Sequence, residues 1–183
     1  MADVPENHLI IGLGGTGGKI LRSFRKAIYQ NFRAEDPPNV NVRYLYVDSS
    51  DALMALDDPT WKILGTSVQL PQSSQLKISG LNLADILDSI NDYPGMAPWI
   101  GNRDQLRAIL KSADSASVVG GQKRRLGRFL FACRAQQFRA QVQSLAKDMQ
   151  TGGIANITFH FVTGLAGGTG SGSIVDAVCQ IRS

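Results

Sequence analysis

Two stretches of the chain concentrate glycine and hydroxyl side chains in a pattern that suits an anion. The first is Gly12-Leu13-Gly14-Gly15-Thr16-Gly17-Gly18. The second is Gly164-Leu165-Ala166-Gly167-Gly168-Thr169-Gly170-Ser171-Gly172-Ser173. Each follows an apolar run and opens a helical pattern. Such a loop points free backbone N–H groups and the positive helix end at one spot. An anion is stabilised there without a cationic side chain. Missing Cβ atoms let phosphate oxygens approach the backbone. Thr16, Thr169, Ser171 and Ser173 add hydroxyl donors. Two such loops at the carboxyl ends of neighbouring parallel strands would converge on one polyphosphate.

A third, shorter cluster is Gly120-Gly121-Gln122, followed by Lys123-Arg124-Arg125 and Leu126-Gly127-Arg128. Lys123 and Arg124 read as a solvated basic turn. Arg128, on the first helical turn and facing the site, is the better phosphate ligand. Taken alone, Gly12, Gly14 and Gly17 fit the G-x-G-x-x-G dinucleotide fingerprint, which is a weak signal. Its acidic partner is due about 20 residues on. Asp48 ends the right strand but lies well beyond that spacing. A nicotinamide-dependent oxidoreductase on a Rossmann sheet is therefore a rival reading, although it leaves the second loop without a job. A Walker P-loop is excluded, because Leu13 and Ile20 stand where that motif needs Gly and Ser or Thr around Lys19. No Ser–His–Asp or Cys–His arrangement can be argued. His8 and His160 read as strand residues and not as a metal site. Trp61 and Trp99 read as core.

The elements that must position these loops follow from periodicity. His8-Leu9-Ile10-Ile11 reads as a buried parallel strand ending at Gly12. Ile20, Leu21, Phe24, Ala27 and Ile28 predict a helix over 18–32. Val42–Val47 is a second strand, ending at Asp48. Strand, glycine loop, helix, strand make a βαβ unit. A short helix over 52–57 is expected, capped by Ser50 or Asp51. A weak third strand is expected at 67–70 and helices at about 83–91 and 103–112. Phe138, Val142, Leu145 and Met149 predict one long helix over 128–149. The strand 157–162 then runs into the second loop. Lacking a further neighbour, it would be an apolar sheet edge that invites association.

Composition bounds the class. The chain has 183 residues, 43% hydrophobic and 19% charged, which excludes disorder, collagen and coiled coil as whole-chain answers. No apolar run approaches the roughly 20 residues of a membrane span. The acidic start, Met1-Ala2-Asp3-Val4-Pro5-Glu6, does not fit a secretion signal, so a cytoplasmic protein is expected. Cys133 and Cys179 form no Cys-x-x-Cys pair and read as reduced thiols. A net charge of +4 suits an anionic ligand and does not argue for nucleic acid.

The run Gly167-Gly168-Thr169-Gly170-Ser171-Gly172 resembles the signature loop of the tubulin/FtsZ superfamily, in the tubulin spelling. The first loop resembles that family's first phosphate loop. Val47-Asp48-Ser49-Ser50-Asp51-Ala52-Leu53 resembles the FtsZ segment after its second strand. Gly120-Gly121-Gln122 with Leu126-Gly127-Arg128 resembles the loop that senses the γ-phosphate, with Gln122 where tubulins carry Asn. The likeness is greatest to divergent bacterial tubulin-like proteins and covers about 8–70 and 119–183.

The resemblance implies a doubly wound α/β fold: a mostly parallel, Rossmann-like sheet with helices on both faces, its first four strands ordered 3-2-1-4. Residues 1–183 would be the N-terminal part of a GTP-binding domain, with an insertion at about 71–118. The implied nucleotide ligands are Gly12, Gly14, Gly15, Thr16 and Lys19; Asp48; Gly120, Gly121, Gln122 and Arg128; and Ala166, Gly167, Gly168, Thr169, Gly170 and Ser171. Lys19 stands where the family usually has an amide side chain. Asp48 would touch ribose or a Mg²⁺-bound water, or else only cap its own turn. The implied cofactors are GTP or GDP and Mg²⁺. The implied partner is a second copy, joined head to tail into a cytoskeletal filament, because the family takes its catalytic acid from the next subunit. Ribose- and base-gripping residues, the acidic loop and the second domain come later in the family than residue 183. Hydrolysis by residues 1–183 alone is therefore not expected. A non-catalytic scaffold of the same fold is a further alternative.

Overall fold

The computed structural model describes residues 7–37, 41–111, 123–151, 153 and 155–182. β1 (Asn7–Leu13) is the central strand. It pairs in parallel with β2 (Val42–Asp48) on one side and β6 (Ile157–Thr163) on the other. β5 (Gln75–Lys77) adds in parallel to β2. The sheet order is β5-β2-β1-β6, the expected 3-2-1-4 arrangement.

Successive β1 residues point to opposite faces, so its apolar run feeds two cores. Leu9, Ile11 and Leu13 join Leu45 and Val47 in the larger core, with Phe129, Phe131 and Phe138 from the helices below. Ile10 joins Leu21, Tyr44, Tyr46 and Trp61 in the smaller one. Helices thus cover both faces: α1 (Gly14–Phe32) on one, α4 (Arg124–Ala132), α5 (Ala135–Gln150) and α6 (Thr169–Arg182) on the other.

Several boundaries differ from the sequence reading. Helix α1 begins at Gly14, four residues before 18, inside the glycine loop. Gly14 has φ +70°, which turns the strand directly into the helix. Propensity disfavours so glycine-rich a first turn. Packing requires it: a Cβ on Gly17 would lie 2.7 Å from the Val162 carbonyl oxygen, and one on Gly18 would enter the Tyr46 ring.

The expected helix over 128–149 is two helices, α4 and α5, broken at Cys133-Arg134. At 100° per residue the stripe Leu126, Phe129, Leu130 and the stripe Phe138, Val142, Met149 lie roughly 145° apart. One straight helix cannot bury both. The break lets Phe131 meet Phe138 edge-on at 5.1 Å.

The third strand is not 67–70. Thr66–Ser67, β4, instead pairs antiparallel with Lys62–Ile63, β3, in a two-residue ribbon. Val68 and Leu70 are buried in the smaller core without joining a ladder. The sheet takes its third strand from 75–77, inside the segment read as an insertion. The rest of that segment packs α2 (Leu83–Asp88) and α3 (Arg103–Lys111) onto the larger core. Asn82 and Asn102 accept from backbone N–H groups in the first turns of these helices. The expected helix at 52–57 is a single 3-10 turn, Ala52–Met54. Asp51 does not cap it; its carboxylate is held by Lys77 at 2.6 Å.

Candidate functional site

Both glycine loops leave the carboxyl ends of adjacent strands, β1 and β6, and they touch. A Cβ on Gly14 would sit 2.8 Å from the Gly170 nitrogen. One on Gly170 would lie 2.5 Å from the Leu13 carbonyl oxygen and strike the Thr163 hydroxyl. One on Gly164 would lie 2.5 Å from the Thr16 hydroxyl. Backbone therefore packs on backbone, which only glycine permits.

Between the loops lies a cleft of about 270 Å³. It is lined by Leu13, Gly14, Gly15 and Thr16 from the first loop; by Asp48, Ser49, Ser50 and Leu53 from the end of β2; and by Gly164, Gly167, Gly168, Thr169 and Gly170 from the second. Helices α1 and α6 both begin here. The N-cap of α1, Leu13, supplies no side-chain cap, and the first turn of α1 holds no acidic residue. Its leading N–H groups have no carboxylate of their own turn competing for them. Gly167 leaves open space: an added Cβ would meet nothing within 4 Å. The Thr169 hydroxyl bonds the Ser49 hydroxyl at 2.9 Å, joining the second loop to the end of β2.

Asp48 forms one wall and is 3% exposed. Its Oδ2 accepts from the Tyr46 hydroxyl at 2.7 Å. Its Oδ1 accepts from the Ser49 N–H at 2.6 Å and the Ser50 N–H at 3.3 Å. Burial pushes its carboxyl above the usual range, and these three donors only partly offset that. Burial, and then the neighbouring Asp48, push the Tyr46 phenol far above its ordinary value, so it stays a donor.

Of the sequence-derived ligands, Gly14, Gly15, Thr16, Asp48, Gly167, Gly168, Thr169 and Gly170 line this cleft. Others do not. Gly12 lies within β1, where a Cβ would meet Leu21 and Gly17. Lys19 is exposed on α1, and Ala166 is exposed in the second loop. The Ser171 hydroxyl donates to the Gly167 carbonyl and stabilises the loop from within. Arg128 is turned away. Its Nε and Nη2 pair with the Asp176 carboxylate at 2.7 and 3.0 Å, and its guanidinium stacks 4.1 Å over the Trp99 ring. Arg124, read as solvated, donates to the Leu165 carbonyl at 3.1 Å. Gly120, Gly121 and Gln122 lie outside the described residues. Sequence reasoning missed Leu13, Ser49, Ser50, Leu53 and Gly164 as lining residues. All five sit in loops already singled out, but only the folded chain shows which of their neighbours turn inward.

His8 and His160 are not remote. The β1–β6 ladder brings their ring nitrogens to 3.1 Å. Among the described residues, no group of three or more His, Cys, Asp or Glu could hold a metal ion, and no helix is long and apolar enough to cross a membrane.

No curated protein matches the chain in sequence. A solved structure, the GDP-bound monomer of CetZ1 from Haloferax volcanii, superposes with a TM-score of 0.51 at 17% identity. That match covers 96% of this chain and 37% of CetZ1, so the chain spans little more than a third of its neighbour's length. Identity so low shows the fold alone. The sequence model of the family described as tubulin-like matches residues 9–183. With that match over nearly all its length, and the doubly wound sheet and paired glycine loops to go with it, the chain belongs to the tubulin-like family.

Proposed function

We propose that residues 1–183 bind the phosphates of a guanine nucleotide between the two glycine loops. One observation carries this reading: two helix-opening glycine loops, in backbone contact at the ends of adjacent parallel strands, share one cleft. The N–H groups at the start of α1 and α6 donate to phosphate oxygens. Thr16 and Thr169 add hydroxyls, and Gly167 leaves room for the phosphate. Guanine is supported by family membership and by the GDP bound in the structure of CetZ1, a neighbour in fold.

The buried Asp48 bears on the form of the ligand. An anion beside a second anion in a part-buried cleft requires a cation or a proton between them. The oxygen donors Asp48, Ser49 and Thr169 suit a hard divalent cation, so Mg²⁺–nucleotide fits better than free nucleotide. When bound, Mg²⁺ neutralises charge on the β- and γ-phosphate oxygens. Asp48 would orient a metal-bound water, with Tyr46 and the Ser49 N–H holding its carboxylate.

Hydrolysis, filament formation with further copies, and a cytoplasmic location belong to the same proposal. In it, turnover needs the acidic loop that the family carries beyond the part resembled here, so residues 1–183 alone bind nucleotide without turning it over.

The test is a thermal-shift titration with GTP, GDP, ATP and NAD, each with and without Mg²⁺. Native-state binding at 100 times Kd stabilises by about 2.7 kcal/mol. We expect a rise in Tm with GTP and GDP that is larger with Mg²⁺ and lost in Gly168→Val. A rise with NAD alone would move the assignment to a dehydrogenase. No rise with any of them would favour a scaffold.

A further inference from the structure

Arg128 and Asp176 have no part in the cleft, yet they join the two helices that meet behind it. We infer that Arg128 is a positioning residue for the 164–172 loop, fixing α6 against α4, and that Trp99 ties the 71–118 segment to the same joint. The consequence for ligand binding rests on the nucleotide reading above; the joint itself does not.

Helices α4 and α6 cross at glycines. A Cβ on Gly127 would strike the Gly168 carbonyl oxygen and lie 2.9 Å from Thr169 Cα. One on Gly172 would strike the Arg124 carbonyl oxygen and lie 2.7 Å from the Arg128 nitrogen. The Ser173 hydroxyl donates to the Thr169 carbonyl at 2.6 Å and reaches the Gly127 carbonyl at 3.5 Å. Smooth backbone contact allows close approach but resists sliding and rotation poorly. The Arg128–Asp176 pair supplies what the glycines lack. Its two parallel N–H···O bonds fix the rotation of α6 about its own axis. Asp176 lies two turns beyond the start of α6, so turning that helix swings Gly168 and Thr169 in the cleft wall.

Trp99 closes the joint from the other side. Its ring covers the guanidinium, and its indole N–H donates to the Gly95 carbonyl at 2.9 Å. Arg125, one helical turn before Arg128's neighbour Phe129, donates to the Asn102 carbonyl at 3.0 Å. Residues 95–102 are therefore fastened to α4 at two points. Because the pair is part-exposed, with side chains 38% and 23% accessible, its loss alters geometry more than global stability.

The experiment uses the whole 183-residue chain and three variants. Arg128→Lys keeps the charge and loses the planar fork. Asp176→Asn keeps one acceptor and loses the charge. Trp99→Leu removes the stacked ring. Amide hydrogen exchange without nucleotide is read alongside Tm, and Mg²⁺–GDP affinity is measured by calorimetry. We expect exchange in 165–172 to rise roughly tenfold in all three variants while β1 and β2 stay protected. For Arg128→Lys and Asp176→Asn we expect GDP to bind roughly tenfold more weakly, with Tm shifted by no more than about 3 °C. If Asp176→Asn binds GDP as the parent does while Arg128→Lys does not, Arg128 is a direct ligand and the inference fails. Unchanged exchange in 165–172, or exchange raised equally across the sheet, also overturns it. Unchanged exchange in Trp99→Leu alone removes the 71–118 segment from the joint. A parent chain that binds no guanine nucleotide overturns the nucleotide reading, and loop exchange still decides the joint.

Discussion

At the residue scale, the glycines divide by what a methyl group would meet. Gly127 lies inside α4, where alanine is intrinsically better by about 1 kcal/mol. A Cβ there would strike the Gly168 carbonyl, so we expect Gly127→Ala to destabilise by about 1–3 kcal/mol, opposite to propensity. Gly167 faces open space, so Gly167→Ala should leave stability within about 0.5 kcal/mol and weaken nucleotide binding by filling the cleft. Thermal melts paired with GDP titrations separate the two; equal losses of stability would contradict this division. Asp48 gives a pH signature. Its folded-state pKa is raised above 3.8, so the native state holds the proton more tightly than the unfolded chain. That contribution is present in full below 3.8 and is lost as pH rises through the raised value. Asn keeps an acceptor for the Ser49 and Ser50 N–H groups without the titration. Melts across the acid range, without Mg²⁺ or nucleotide, should show Asp48→Asn gaining on the parent chain as pH rises. A difference independent of pH would show that the carboxyl is not perturbed.

At the element scale, irregular segments are held by particular polar groups. Residues 66–70 join no ladder of the main sheet, yet Val68 and Leu70 are fully buried. Arg25, on α1 and 5% exposed, pins them: its Nε donates to the Val68 carbonyl at 2.6 Å while its head pairs with Glu35 at 3.3 Å and lies 5.0 Å from the Tyr44 ring centre. Glu35 is 44% exposed and stays solvated without its partner, so the cost of Arg25→Leu falls mainly on the orphaned carbonyl and lost packing. We expect about 1–3 kcal/mol of destabilisation in chemical denaturation, with amide protection lost first at 66–70. Protection lost evenly over the chain would refute that assignment. The break between α4 and α5 belongs to the same scale. Two apolar stripes out of phase need two axes, and Arg134 takes the non-helical angles φ −117° and ψ 9° between them.

At the scale of the whole molecule, β6 is the uneven part. Among the described residues it borders only β1, and none of its residues is fully buried, its apolar Ile157, Phe159, Phe161 and Val162 included. Clefts flank it on both faces, an apolar one with Ile10, Ile20, Phe24 and Val162, and a mixed one where Arg139, Gln143 and Gln180 stand beside Val142, Phe159 and Ile181. An unpaired apolar edge templates association. We expect residues 1–183 to self-associate with rising concentration in sedimentation velocity, at a rate little affected by nucleotide. A monomer at every concentration would show that the edge is adequately protected as it stands. The 37% coverage of the CetZ1 chain gives the scale of structure that accompanies this sheet in a neighbour of the same fold.

The α/β class and both glycine loops were legible in the sequence because they depend on local chemistry, whereas the strand order came with the family resemblance. Buried parallel strands read as apolar runs, and a loop that packs backbone on backbone can be built only from glycine. The Gly167–Gly172 run carried the most specific part of the family likeness. The tertiary structure decided what depends on partners far away in the chain. The early start of α1 rests on Gly17 and Gly18 packing against Val162 and Tyr46. The choice of 75–77 over 67–70 as third strand rests on the edge of β2. His8 and His160 meet only through the β1–β6 register. Arg128 had the right charge and position for a phosphate ligand. What turned it away is Asp176, 48 residues on and brought alongside by the α4–α6 crossing, a pairing that spacing along the chain does not reveal.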